Sequence, residues 1–444
     1  MIAILTGAGR QLLAHWPPIV AWFLAGVLVN WAVIQVAGWV GAYSALGGAL
    51  LLPLAILARL VSYVAMFLVV RDGMRELGII APRPESADDR REQFLRALLG
   101  SILPFVAFYA AWGLLRDDMA FYYQRVLEVG VLRGEVGDGE NGWLSFSIWT
   151  VLLIVIAFGL RWLLKRHAAR LPRWFAFGAV YLELLWVFLT ATLIGDGFAA
   201  LGSWVDSRQA VVWVADARSW LSGQLVVIAW LWEAIEWFLG EAGGIILKPL
   251  AWLAIAGVVY GQAVAPRGVQ VRGGFVDRAR TRWTRVPGWL RSRLADVWGD
   301  LIGRFRPIGR VFVLMWRAGP ILIGGYILLY TVLTALESLF GIGVTRVFGP
   351  NDFAGFWAVN DQLILLLIPL LIEPLRIVLV SSSYDQVIGR LLQRDADASA
   401  EALTTASDGA GSTHGTAASS RRSPSPAALN SSSTNGPDAS EGTT

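Results

Sequence analysis

The sequence predicts an all-α fold, a polytopic bundle of transmembrane helices, and three observations support this prediction. Of the 444 residues, 56% are hydrophobic and only 16% are charged. Apolar runs recur along the chain at about 20 residues, the length that a helix needs to cross a bilayer. Soluble domains contain about 25% charged residues. The composition therefore excludes a string of soluble domains and favours a membrane protein.

Apolar runs of sufficient length occur throughout residues 1–390, which we interpret as one transmembrane domain. The run 42–70 contains Pro53 and Arg59, so it is either one kinked span or a span that ends at Arg59 and continues as an interfacial helix. The predicted spans are 19–39, 42–70, 97–115, 143–160, 174–194, 244–264, 319–339 and 363–379.

The orientation of the spans follows from the distribution of Lys and Arg, because cytoplasmic loops carry an excess of these residues. Basic residues cluster in 71–96, 161–173 and 267–317, whereas the connection 117–140 is acidic or neutral and is predicted to be exterior. We therefore expect about eight spans in the plasma membrane, with both termini in the cytoplasm. The first apolar run is expected to be an uncleaved signal anchor.

The Trp-rich stretch 221–239 decides the number of spans. If it crossed the membrane as well as 244–264, the Arg-rich segment would lie outside, so we predict a re-entrant or interfacial helix on the outer side. A nine-span chain with an exterior C-terminus is the alternative. Glu233 and Glu236 share one face of this helix. They are either a proton or cation site or, as the Trp content favours, an interfacial pair facing water.

Five further charged residues lie within apolar runs, where an ionisable group costs about 2.5 kcal/mol or more. Glu373 and Arg376 are one turn apart, around Pro374. They either line a substrate path in a broken helix or, as we favour, form a self-neutralising pair with Arg376 reaching lipid phosphates. A Glu183–Arg59 pair would satisfy both of its charges, and Glu337 is expected to be solvated. The candidate polar path is Glu233, Glu236, Glu373, Arg376, Glu183 and Arg59.

The segment 265–317 has the pattern of a basic amphipathic helix, with apolar residues at helical spacing between 290 and 305. Such a helix lies on anionic lipid, and the planar guanidinium of Arg matches a lipid phosphate better than the ammonium of Lys does. The candidate residues for contact with anionic lipid headgroups or a partner protein are Arg291, Arg293, Arg304 and Arg306.

Residues 391–444 are rich in Ser, Thr, Ala and Gly and contain few large apolar side chains. Such a composition buries too little apolar area to offset the entropy of the chain. We therefore predict a disordered cytoplasmic tail.

The sequence also limits the chemistry. The chain has no Cys and only three His residues, far apart, so we expect no metal site and no cofactor. No phosphate loop, metalloprotease motif or nucleophile elbow occurs, and we assign no catalytic residue. The leading hypothesis is a non-enzymatic membrane component that assembles with partner proteins or anionic lipid and binds no nucleic acid. The alternative is a secondary transporter or channel that uses intramembrane carboxylates.

Overall fold

A computed structural model describes residues 1–81, 86–134, 148–167, 175–209, 243–264 and 319–413, together with the single positions 213, 230, 237 and 240. These residues are almost entirely helical, and no strand occurs among them, which confirms the predicted all-α class. The helices are α1 (Ile2–Gly41), α2 (Ala45–Arg71), α3 (Arg75–Ile80), α4 (Ala87–Ala111), α5 (Leu114–Leu132), α6 (Ile148–His167), α7 (Phe175–Asp206), α8 (Lys248–Val264), α9 (Pro320–Phe348) and α10 (Ala358–Thr413). Two π-helical turns, Gly243–Leu247 and Phe353–Trp357, precede α8 and α10.

Seven of the helices in the described ranges are long and apolar enough to cross a membrane, so the protein is a membrane-embedded helix bundle. They are α1, α2, α4, α7, α8 with the turn before it, α9 and α10. The apolar part of α6, Thr150–Leu164, is shorter. The total of eight spans stays a prediction, since the disputed stretch 221–239 lies outside the described residues except at positions 230 and 237.

The helix α2 lies at the centre of the bundle, in contact with α1, α4, α7 and α8. It begins at its cap Ser44, whose side chain accepts a hydrogen bond from the backbone N of Gly47 at 3.2 Å. It continues through Pro53 and Arg59 without interruption. The run 42–70 is therefore one helix from Ala45 onwards, and a separate interfacial helix after Arg59 is excluded.

The helices α1 and α2 pack closely because small residues face each other. A Cβ atom on Gly26 would lie 2.4 Å from the Cβ of Ser62, and the Ser62 hydroxyl donates to the backbone oxygen of Trp22 at 2.8 Å. The hydroxyl thereby satisfies its hydrogen bond without water, as a polar group in a bilayer must.

The stretch after Ala111 differs from the sequence prediction. The helix α4 ends there instead of at 115, the chain turns at Gly113 with φ of 80°, and α5 packs against α1 and α4. The buried residues of α5 are Asp118, Tyr122, Val126 and Val129, which recur at helical spacing on one face. The connection that begins at 117 is therefore helical and packed against the bundle as far as Leu132, and its exterior location stays a prediction. Its acidic residues masked an amphipathic pattern.

Hydrogen bonds connect α10, late in the sequence, to the first residues of α1 and to α3. The helix α1 contains Pro17 and Pro18 and extends to Ile2, well before the predicted start at 19. The Ser382 hydroxyl of α10 donates to the backbone oxygen of Ile4 at 2.9 Å. Asp385 of α10 accepts hydrogen bonds from two backbone N–H groups of α3.

The chain divides into two compact units, Met1–Leu391 and Leu392–Thr444. Of the second unit the structure describes 392–413, which belong to the helix α10. The helix thus includes residues beyond 391, where we predicted a change to disorder. Residues 414–444 lie outside the described part of the chain, and their disorder stays a prediction.

A substitution at Gly48 tests the packing of α1, α2 and α5. A Cβ atom there would lie 2.4 Å from the Tyr122 hydroxyl and 2.8 Å from the Cα of Gly41. Because one of these neighbours is backbone, we expect Gly48→Ala to lower the free energy of unfolding by about 1–3 kcal/mol. Thermal unfolding of the detergent-solubilised protein measures this effect. The matched control is Gly9→Ala in α1, which meets no atom within 4 Å. Equal stability of the two variants would contradict this packing.

Candidate functional site

The first polar cluster of the bundle centres on Asp118 of α5, which is 2% exposed. Its carboxylate accepts hydrogen bonds from Arg59 of α2 at 3.0 Å and from the side-chain amide of Asn30 of α1 at 3.3 Å. The Tyr109 hydroxyl of α4 also donates to it. Four helices thus meet at one carboxylate, which we call the Asp118 cluster (Asn30, Arg59, Tyr109 and Asp118).

The side chains of the Asp118 cluster are packed closely against each other and against their neighbours. The Asn30 amide also donates to the backbone oxygen of Ala55 at 3.1 Å, and the Arg59 guanidinium lies 5.7 Å from the centre of the Tyr109 ring. The recess beside Asp118 is lined by Leu52, Ile56, Leu115, Met119 and Phe188 and has no room for a water molecule. The carboxylate is therefore held by direct protein contacts.

Glu183 and Arg59 do not form the pair that would have satisfied both charges. Glu183 of α7 forms an ion pair with Arg161 of α6, and Arg59 instead contacts Asp118. The side chains of Arg161 and Glu183 are 11% and 10% exposed. Arg161, which we assigned to a cytoplasmic loop, belongs to the packed part of α6.

The second polar cluster joins α9 and α10. Arg376 donates to Glu373 one turn earlier in α10 and to Glu337 of α9 at 2.6 Å. The Arg376 side chain is 7% exposed, so it does not extend to lipid phosphates, and Glu337 is bonded instead of simply solvated. The pairing of Glu373 with Arg376 is as expected. We call these three residues the Arg376 cluster.

Aromatic rings surround the Arg376 guanidinium. Its carbon lies 6.0 Å from the ring centre of Trp252 in α8 and 5.9 Å from that of Tyr330 in α9. Lys248 at the start of α8 interacts with the cluster electrostatically, but it forms no ion pair within 4.0 Å among the described residues. The cluster therefore combines two carboxylates in direct contact with one guanidinium.

Tyr63 connects the two clusters electrostatically. It lies one helical turn after Arg59 in α2, and its ring packs edge-on against Trp252 at 5.0 Å. It interacts with the charges of Arg59, Glu373 and Arg376. The charges of the two clusters thus lie within electrostatic range of each other, and we call the two clusters together with Tyr63 the polar region of the bundle.

Six of the predicted site residues lie outside the described part of the chain. They comprise the two carboxylates of the Trp-rich stretch and the four basic residues of the amphipathic segment. These residues are Glu233, Glu236, Arg291, Arg293, Arg304 and Arg306. The other four, Arg59, Glu183, Glu373 and Arg376, are described, and each contacts an oppositely charged residue.

Sequence reasoning missed Asn30, Tyr109 and Asp118 as parts of the polar region. Asn30 carried a usable signal, since a side-chain amide within an apolar run needs a partner in the bilayer. Asp118 carried another in its helical spacing with Tyr122 and Val126. Tyr109 carried none, because a Tyr in an apolar helix is common near a membrane surface.

The described side chains form no cluster of three or more His, Asp or Glu residues that could hold a metal ion. Comparison of the chain with models of known protein families, with curated proteins and with solved structures finds no match. The chemistry of the polar region follows from its own side chains. Its groups can pair charges, donate hydrogen bonds and exchange protons.

Neutralising Asp118 tests whether the Asp118 cluster stabilises the bundle. Removing one partner of a buried ion pair leaves an uncompensated charge, so we expect Asp118→Asn to cost about 3 kcal/mol. Thermal unfolding in detergent measures the loss. The double variant Arg59→Gln with Asp118→Asn is expected to recover part of the stability, because no unpaired charge remains.

The neighbouring carboxylate provides a matched control for this experiment. Asp117 is exposed, so Asp117→Asn makes the same chemical change without removing a buried contact. We expect it to leave stability unchanged. If both Asp→Asn variants unfold at the wild-type temperature, the cluster does not stabilise the bundle.

Proposed function

We propose that this protein is a non-enzymatic multi-pass membrane component that binds anionic lipid headgroups or a partner protein through its basic segment 265–317. One structural observation supports the proposal: each buried charged side chain in the described ranges has an ion-pair or hydrogen-bond partner within the protein. The charges inside the bundle are thus used in holding helices together. The excess positive charge lies elsewhere in the chain.

The composition of the segment supports anionic lipid or an acidic partner surface. The chain carries a formal charge of +4, and Arg is concentrated between 267 and 317. Basic residues beside a membrane helix each contribute about 1 kcal/mol to the attraction to an anionic bilayer. Several Arg residues on one amphipathic helix therefore provide a substantial affinity without any catalytic group.

Vesicle binding tests this proposal. We expect the full-length protein in nanodiscs of neutral lipid to bind vesicles containing phosphatidylglycerol. Substituting Gln at Arg291, Arg293, Arg304 and Arg306 is expected to weaken binding by two orders of magnitude or more, given about 1 kcal/mol per residue. Flotation of the nanodiscs with the vesicles measures the affinity.

Two control variants separate the location of the charge from its amount. Lys at the same four positions keeps the charge and is expected to retain most of the binding, whereas Gln at Arg421 and Arg422 removes charge from the tail and is expected to have little effect. Unchanged vesicle binding by the four-Gln variant would refute docking on lipid through this segment. Loss of a co-purifying protein in that variant would instead favour a partner protein.

A secondary transporter or channel is the second candidate. It is favoured by the helix break at Gly113, because discontinuous helices line the substrate sites of many transporters. Asp118 lies one turn and a half after this break, with Arg59 in contact. The small recess beside Asp118 argues against a permanently open path. Ion flux in proteoliposomes that depends on Asp118 would favour this candidate.

We also propose that the protein resides in the plasma membrane with both termini in the cytoplasm. The proposal rests on the excess of Arg in the segments 161–173 and 267–317 and on its scarcity in 117–140. Cytoplasmic loops retain basic residues during insertion.

Reporter fusions test this orientation. A reporter fused after Trp204 is expected to be exterior, and one fused after Pro287 is expected to be cytoplasmic. Alkaline phosphatase, which is active outside, and green fluorescent protein, which fluoresces inside, give opposite signals at each site. Exterior signals at both positions would mean that 221–239 crosses the membrane and that the nine-span alternative is correct.

A further inference from the structure

The Arg376 cluster brings two carboxylates to one guanidinium inside the bundle. Arg376 donates through Nη1 to Glu373 Oε1 and through Nη2 to Glu337 Oε2. The single positive charge of Arg376 cannot fully compensate the negative charges of the two carboxylates. In a low-dielectric interior the ionisation of the second carboxylate is opposed by the first.

Several polar atoms of this region have no hydrogen-bond partner among the described residues. Glu373 Oε2 and Arg376 Nε are buried and unpaired, and so are the indole N–H of Trp252 and the hydroxyl of Tyr330. The Glu373 side chain is 9% exposed. A buried, unpaired carboxylate oxygen is costly when it carries charge, and a proton on it removes most of that cost.

The charged and titratable groups that face Glu373 come from four helices. They are Arg59 and Tyr63 of α2, Lys248 of α8, Tyr330 and Glu337 of α9, and Arg376 of α10. Among these groups only Arg376 contacts Glu373 directly in the described structure. Lys248 and Arg59 act on it at longer range, so they do not occupy the free oxygen.

The helix α9 is the part of the bundle that this cluster can affect most. Only 17% of its most apolar window is buried, the lowest share among the seven long apolar helices. Two polar side-chain contacts join it to other helices in the described ranges. One is the Tyr326 hydroxyl to the backbone oxygen of Pro249 at 2.8 Å, and the other is Glu337 to Arg376.

We propose that the Arg376 cluster is a proton-binding site that controls the docking of α9. Glu373 holds the proton on its free oxygen Oε2 and accepts from Arg376 Nη1 as a neutral acid, so that Glu337 is the one anion on the Arg376 guanidinium and α9 is docked. When Glu373 loses its proton to solvent, it becomes a carboxylate that competes with Glu337 for Arg376. The contact between α9 and α10 then weakens, and docking decreases as the pH rises.

Spin labels can follow this docking directly, because the chain contains no native Cys. Leu28→Cys in α1 and Leu336→Cys in α9 place labels at exposed apolar positions. The experiment uses the full-length protein in nanodiscs and records the distance distribution between the labels over a pH series. We expect a narrow distribution at neutral pH that broadens as the pH is raised.

Two variants separate the roles of the carboxylates. Glu373→Gln resembles the protonated acid, so we expect a narrow distribution at every pH. Glu337→Gln removes the α9 partner of Arg376, so we expect a broad distribution at every pH. Asp361→Asn, which neutralises another carboxylate of α10, is the matched control and is expected to respond as the wild type does.

Several outcomes would overturn the proposal. A pH response that survives Glu373→Gln would assign the titration to another group, such as Lys248 or a Tyr. A distribution that changes with Na⁺ at constant pH, and not with pH, would make the cluster a cation site. Distances that do not change in the wild type would show that α9 docking is independent of the cluster.

Infrared spectroscopy gives a second measurement that does not depend on any label. The wild-type protein is expected to show the carbonyl stretch of a protonated carboxyl group at neutral pH, lost on alkaline titration. Glu373→Gln is expected to remove this signal, and Asp361→Asn to retain it. Absence of a protonated carboxyl signal in the wild type at neutral pH would refute the bound proton.

Discussion

The cost of placing a charged side chain in hydrocarbon is the constraint on which the rest of the structure depends. Each such group must meet an opposite charge or a hydrogen-bond partner, because the bilayer core supplies no water. In the described helices this requirement selects which helices are neighbours: Asp118 joins α5 to α2, Glu183 joins α7 to α6, and Glu337 joins α9 to α10. Apolar surface alone does not select neighbours, since lipid tails cover it equally well.

The break between α4 and α5 is a consequence of the same constraint. An unbroken helix would continue along the axis of α4. The turn at Gly113 instead starts α5 in a new direction, and the buried face of α5 then includes the carboxylate of Asp118. Asp118 then meets donors from α1, α2 and α4 at once. A positive φ at this turn is accessible to Gly without steric cost. The backbone conformation of Gly113 and the hydrogen bonds of Asp118 thus favour the same orientation of α5.

Much of the fold could be predicted from the sequence, because a transmembrane helix is encoded by one local run of apolar residues. The helices α1 and α10 include the predicted spans 19–39 and 363–379, and α2, α7, α8 and α9 each cover most of a predicted span. The partners of Arg59 and Glu183 could not be predicted. Arg59 and Asp118 are 59 residues apart in sequence, and a single sequence contains no information on which distant charges meet. The acidic residues of α5 also concealed its amphipathic face, since their sign suggested an exterior loop.

The two clusters are not independent, although they hold different helices. Arg59 belongs to the Asp118 cluster, and its charge also interacts with that of Glu373 in the Arg376 cluster. In a low-dielectric interior such an interaction extends further than it does in water. A change of charge at Glu373 therefore alters the field at Arg59 and Asp118 without any contact between them. α2 connects the two clusters because Arg59 and Tyr63 lie one turn apart on the helix that contacts α1, α4, α7 and α8. The central helix α2 therefore interacts with the charge of Glu373 in α10 on one side and with the Asp118 cluster on the other.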